Sequence, residues 1–230
     1  LFWSLGVLPV AWLLGSHSIL VLAAGLLSFW TVWKSIDIST PNFLYPVLMF
    51  SVVLPLCYTQ RSRIALFMSL IGLLLWLGFG PCLFYFRESQ LLMLIIPCFL
   101  VASIFLYSTG LLHSFYEGFM DYQLVYRFLG MLVLFGFIYM VSFKEVVMEM
   151  GRLAIMPFPI SFWVIFGILI LLSFATVGVV FLSRSKIKDI SQILNYEIIF
   201  IIILLMFPVT LLILHNTIFH SIISNVILLA

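Results

Sequence analysis

The sequence predicts an all-α, polytopic transmembrane bundle, and three observations carry that prediction. Hydrophobic residues make up 65% of the 230 and charged residues 8%, against about 25% charged in a soluble domain. The apolar stretches are continuous and rich in Leu, Ile and Phe rather than alternating in segments of about ten, which favours helices over a β-barrel. A hydrophobic unit also occurs twice, Leu8 to Trp30 and Leu54 to Trp76, at an offset of 46 residues. In that alignment the Leu-Pro pairs, Ser16 and Ser62, and Trp30 and Trp76 coincide, and Trp12 falls on Tyr58. Each copy reads as a helical hairpin, the end of one membrane helix, a polar turn and a second helix. A spanning helix needs about 20 apolar residues, so the chain has room for about eight or nine spans. They form a single transmembrane domain over 1–230 with no space for a soluble one.

Taken in order, the first helix is expected over Leu1 to Leu14, closed by the turn Gly15-Ser16-His17-Ser18 and followed by a second over Ile19 to Trp33. Lys34 to Asn42 is a loop broken by Pro41. The third helix runs from Phe43 to Tyr58, and the turn Thr59 to Arg63 leads into a fourth over Ile64 to Phe84. Arg87-Glu88-Ser89 precedes the fifth, Leu91 to Leu112, and His113 to Gln123 connects it to the sixth, Leu124 to Phe143. Lys144 to Arg152 is charged and interfacial. Pro157 and Pro159 open the seventh, because Pro is tolerated in a first helical turn. After the basic loop Ser183 to Asp189, the capping-box spacing of Asp189 and Gln192 starts the eighth. His215-Asn216-Thr217 ends it, and a ninth begins near Ile218. Pro9, Pro55, Pro81, Pro97 and Pro208 fall inside predicted helices, where each removes a main-chain hydrogen bond.

The excess of Lys and Arg in cytoplasmic loops sets orientation. Connections after odd-numbered helices carry Arg61, Arg63, Arg127, Arg184, Lys186 and Lys188. Those after even-numbered helices carry Lys34, Arg87, Lys144 and Arg152. The first set is therefore placed in the cytoplasm. The net charge of +2 is too small to suggest a nucleic-acid partner. The chain opens without Met and ends in an apolar run, so it reads as part of a longer protein.

Chemistry-bearing motifs are sparse. There is no HExxH, no CxxC and no GxSG with a partnering His. Cys57, Cys82 and Cys98 stand isolated in apolar runs, as small packing residues do. The best constellation is His113, Glu117 and Asp121 in HSFYEGFMD. On a continuous helix, spacing of four stacks the three side chains along one face, and a His with two carboxylates is able to hold a divalent metal or pass protons. The commoner origin of such a pattern is a solvated helix end. Glu197 comes nearest to a charge within a span, and a snorkelling interfacial side chain is its ordinary reading. Gly25, Gly72, Gly110, Gly130, Gly136, Gly167 and Gly178 offer small contact points between helices, with no GxxxG among them. Trp3, Trp12, Trp30, Trp33 and Trp163 suit the aromatic belt at the membrane interface.

The pattern LFW-x-LG-x-LP-x-AWLL-x-S over Leu1 to Ser16, the second LP…SR…W copy, YRFLGMLVLFGFIYMVSFKEV over Tyr126 to Val146 and SNVILL over Ser224 to Leu229 resemble a family of bacterial membrane proteins catalogued only as a domain of unknown function. The resemblance covers nearly the whole chain and implies a multi-pass protein of the bacterial inner membrane. It carries over no activity, substrate or catalytic residue. The expectation is thus a non-enzymatic integral membrane protein, transport-related or a scaffold or subunit, with the lipid bilayer and other membrane subunits as partners and no cofactor. The alternative is a membrane-embedded enzyme or a metal- or proton-handling protein using His113, Glu117 and Asp121.

Overall fold

The computed structural model describes residues 2–37, 42–79, 88–114, 116–141 and 143, with 167–168, 170–171 and 173–178. Every secondary-structure element among them is helical. The chain divides into two compact units, Leu1–Arg87 and Glu88–Ala230.

In the first unit, α1 (Phe2–Leu14) and α2 (His17–Asp37) form a hairpin. The reversal rests on Gly15, at φ +57, where the absence of a Cβ makes left-handed backbone cheap. Ser16 accepts the first helical bond of α2, from the Leu20 amide at 3.1 Å. A second hairpin follows: α3 (Leu44–Leu48), a π-helical turn (Met49–Val53) and α4 (Leu54–Thr59) make one continuous rod that reverses into α5 (Arg63–Phe79). Arg61 takes the left-handed conformation there, at φ 52. Ser62 accepts the first bond of α5, from the Leu66 amide at 3.1 Å, and its Oγ accepts from the Ala65 amide at 3.3 Å. Gly15 and Arg61, Ser16 and Ser62, and Leu20 and Leu66 each lie 46 positions apart.

Two prolines act differently from a simple interior break. Pro46 sits in the first turn of α3, where its missing amide hydrogen has no partner to lose. Pro55 has no N–H for the Ser51 carbonyl and its ring crowds that group. The ladder widens just before it, and the Leu54 amide bonds to the Met49 carbonyl, five residues back. Pro9 lies within α1 and Pro97 within the long helix of the second unit. Pro81 and Pro208 are outside the described residues.

α2 and α5 pack side by side in the same direction. Gln60, at the second turn, donates from Nε2 to the Ala11 carbonyl at 2.8 Å, in the last turn of α1. Further along, Ser28 on α2 faces Gly72 on α5, and near the far end Asn42 joins Thr31 to Trp76. The seam is buried and partly polar. Leu20, Ala23, Ala24 and Leu27 are buried with Ser28, Thr31 and Ser35 on α2, and Ala65, Leu66 and Leu70 with Ser69 on α5.

In the second unit, α6 (Glu88–Ser114) and α7 (Met120–Val141) are joined through a 3-10 turn (Glu117–Phe119). Leu100, Ile104 and Leu111 of α6, Leu134 of α7 and Val177 share a buried cluster. Residues 173–178, within the seventh predicted helix, are helical and lie against α6. Ser173 donates to the Val101 carbonyl at 3.3 Å, and the hydroxyls of Thr176 and Ser108 meet at 2.7 Å. The eighth and ninth predicted helices, Lys144 to Arg152, Ser183 to Asp189 and Glu197 are outside the described residues.

Eight or nine spans is not supported. Among the described residues two helices are long and apolar enough to cross a membrane, His17–Ser35 and Met120–Met140. Leu44–Thr59, Arg63–Gly78 and Cys98–Ser114 are apolar but shorter. The rod Leu44–Thr59 shows why composition overcounts: its 16 residues rise only about 24 Å at 1.5 Å each, less than a bilayer core of about 30 Å.

Candidate functional site

The polar connection between α6 and α7 does not put His113, Glu117 and Asp121 on one helix. α6 stops at Ser114, whose hydroxyl donates to the Leu111 carbonyl at 2.6 Å. Tyr116 is extended, at φ −120 and ψ 109. The chain then makes the 3-10 turn, held by the Phe119 amide on the Tyr116 carbonyl at 2.8 Å. His113 is therefore in the last turn of α6, Glu117 opens the 3-10 turn, and Asp121 is in the first turn of α7. The spacing of four counts only along a continuous helix, and that continuity is lost. The Glu117 side chain is outside what the structure describes. Asp121 is exposed, and a carboxylate in the first turn favours the positive end of the helix dipole. Among the described residues no group of three His, Cys, Asp or Glu side chains is placed to hold a metal ion.

His113 instead belongs to an aromatic cluster. Its ring stacks on Tyr126, with centroids 4.9 Å apart and planes at 24°, and meets Phe119 and Tyr122 edge to face at 5.7 and 6.4 Å. Nδ1 lies 2.7 Å from the Thr109 carbonyl. A carbonyl only accepts, so Nδ1 carries the hydrogen and the neutral tautomer is fixed. Burial holds the His113 pKa below the ordinary histidine value, and the bond to Thr109 only partly opposes that shift. The imidazole is thus a packed, neutral ring that fastens the end of α6 to the start of α7.

Arg127 lies over the Tyr107 ring at 5.3 Å and donates from Nη2 to Tyr107 Oη at 3.2 Å. Its aliphatic stem covers Gly110, where an added Cβ would come within 2.6 Å of Arg127 Cγ and 3.0 Å of its amide nitrogen. At Gly130 the neighbours are main chain, with Tyr107 N at 2.8 Å and Ser103 O at 3.0 Å. Gly72 makes room in the first unit, since a Cβ there would overlap Ser28 Oγ and Tyr45 Oη. These three are true contact points. Among the described residues Gly136, Gly167 and Gly178 meet nothing within 4 Å, and Gly25 only approaches Met68 at an ordinary distance.

Sequence reading missed the polar cluster of the first unit. Ser28 donates to the Ala24 carbonyl at 2.8 Å, so the 3.0 Å contact with Tyr45 has the phenol as donor. Asn42 donates from Nδ2 to Thr31 Oγ1 at 3.2 Å, and Ser35 donates to the Thr31 carbonyl at 2.9 Å. The Asn42 carbonyl accepts from Trp76 Nε1 at 2.9 Å and from the Tyr45 amide at 3.2 Å. Asn42 is 1% exposed and its Oδ1 meets no protein donor. The available signal was Asn42 directly after Pro41 and next to an apolar run, a polar residue that a surface loop does not need to bury.

Comparison of the chain with protein-family models, with curated proteins and with solved structures gives no match.

Proposed function

We propose that this chain is a multi-pass integral membrane protein of non-enzymatic character, a transport-related protein or a membrane scaffold, in the bacterial inner membrane as the family resemblance implies. One observation carries the reading: large apolar side chains face outward, and polar ones are buried among the apolar residues of the seams. Hydroxyls and an amide fill the interhelical seams at Ser28, Thr31, Ser35, Asn42, Ser69, Ser103 and Ser108, whereas Leu22, Phe29, Phe50, Leu132, Phe135 and Ile138 are exposed. Lipid tails are as apolar as leucine, so helices there associate through close packing and hydrogen bonds, each bond worth about 0.6 kcal/mol on average. The two long helices also lack the coverage of a soluble core helix, being 39% and 22% buried over their apolar windows.

Three further features support the reading. The matching turns at Gly15 and Arg61 and the parallel packing of α2 on α5 fit a duplicated hairpin, of the parallel kind found in some transporters. Trp12 stands at the turn end of the first unit, and Trp33 and Lys34 at the other. The candidate span His17–Ser35 has 19 residues and rises about 28 Å, the order of a bilayer core. The location of His113 among aromatic rings favours a structural role for that residue over metal or proton chemistry.

Extraction of cell membranes with alkaline carbonate tests the proposal. The full chain should stay in the membrane pellet and leave it only with detergent. Release into the carbonate supernatant as a monodisperse protein would end the membrane reading.

A further inference from the structure

The two turns of the first unit share a geometry and differ in chemistry. Gly15 and Arg61, 46 positions apart, both take the left-handed conformation, at φ 57 and 52. Glycine reaches it freely, whereas an L side chain crowds the following carbonyl there. The second turn thus keeps an arginine where its own backbone would be better served by glycine, and a residue held against its backbone preference points to a use for its side chain. Two positions on, His17 opens α2 and Arg63 opens α5. A cation in a first helical turn opposes the helix dipole, and α5 has no acid in that turn to offset it. Arg61 and Arg63 are both exposed. Asp37 is the one acid in residues 1–87, and it stands at the opposite end of α2. This end of the unit is therefore positive, at a local cost to the chain. It is also apolar: the Gln60 to Ala11 bond ties the turn to the last turn of α1, where Trp12 and Leu14 are exposed, and Ile64 beside Arg63 is exposed as well. Positive charge bordered by an uncovered tryptophan and aliphatic side chains matches a molecule with an anionic head and hydrocarbon tails. A free inorganic anion has no use for the apolar part of that surface.

We propose that the Arg61 end of the first unit binds the headgroup of an anionic phospholipid, with Arg61 and Arg63 on the negative charge and Trp12, Leu14 and Ile64 against the glycerol and upper acyl chains. The site rests on the chain residing in a bilayer and adds a lipid class to that reading.

The test uses the full chain purified in neutral detergent, titrated with phosphatidylglycerol or phosphatidylcholine of the same acyl chains and read by native mass spectrometry. A basic residue at a membrane surface gives about a fivefold gain in affinity for anionic lipid, so phosphatidylglycerol should bind at least about fivefold more tightly than phosphatidylcholine. Arg61→Gly should cut that preference about fivefold, and Arg61→Lys should keep it. Because glycine suits this turn, Arg61→Gly should also unfold at the same temperature as the unaltered chain or a higher one, which an arginine needed only for the fold would not allow. Equal binding of the two lipids, a preference that Arg61→Gly leaves intact, or a lowered unfolding temperature in that variant would each overturn the site. Displacement of phosphatidylglycerol by inorganic phosphate would overturn it in favour of a free anion. A chain that stays in the carbonate pellet but fails these tests loses the lipid site alone, whereas release by carbonate would remove the site together with the membrane reading.

Discussion

The two units hold their helices together in different ways. In the first, α2 and α5 meet through side-chain hydroxyls, with Gly72 leaving the space that Ser28 and Tyr45 fill. In the second, α6 and α7 meet through main chain, with Gly130 against Tyr107 N and Ser103 O, and Gly110 against the amide of Arg127 and the Gln123 carbonyl. The same residue type thus has two uses, making a hole for a hydrogen bond and bringing two backbones together. The difference matters because a side chain is able to turn away from an intruding methyl and a peptide group is not.

The largest expected effect is therefore Gly130→Ala. Its new Cβ would lie within 3.0 Å of peptide atoms of α6, so the helices must separate, at about 2–3 kcal/mol, the upper part of the usual overpacking range. Gly136→Ala on the same helix meets nothing among the described residues and should stabilise by about 0.5–1 kcal/mol, the ordinary helix preference for Ala over Gly. Reversible unfolding in detergent, followed by circular dichroism, separates the two. Equal effects of both would mean that α6 and α7 do not approach closely at Gly130.

Gly72→Ala comes next, at about 1–3 kcal/mol, because the overlapping atoms belong to Ser28 and Tyr45 side chains. Combined with Tyr45→Phe, which removes one of the overlapping oxygens, it should recover part of that cost. A double-mutant cycle with no coupling would show that Gly72 does not face Tyr45.

Much of the first unit was legible in sequence. Both turns fall at Gly15-Ser16 and Gln60–Ser62, inside the stretches the duplicated pattern marked, because reversals use local chemistry: a glycine, serines and a charged pair. The π-helical turn before Pro55 was not legible, since widening the ladder competes with a simple kink and the outcome depends on packing around Met49 and Val53. The end of α6 at Ser114 was open to a better reading. Gly118 and the first-turn acid Asp121 mark a break and a new helix start, and the periodic spacing of His113, Glu117 and Asp121 drew weight away from them. The parallel register of α2 on α5 and the burial of Asn42 are long-range facts that no local pattern encodes.

The smallest effect concerns His113 and sets the second unit apart from the first. Its folded pKa lies below its unfolded one, so the unfolded chain takes up the proton first. Stability is full above the ordinary histidine value of about 6.5, falls as pH drops below it, and stops falling once the folded pKa is passed. His113→Phe should keep the stacking on Tyr126 and flatten the fall in stability as pH drops through the ordinary histidine range. A profile unchanged by this substitution would remove His113 as its source.

The outward-facing apolar surface of α2 and α7 is most directly tested by spin labels on cysteines at Leu22, Phe29, Leu132 and Phe135 in reconstituted bilayers. Collision with oxygen, which dissolves in lipid, is compared with collision with a water-soluble nickel chelate. The account predicts high oxygen and low nickel accessibility at all four positions. High nickel accessibility at these positions, that of a surface in water, would contradict it.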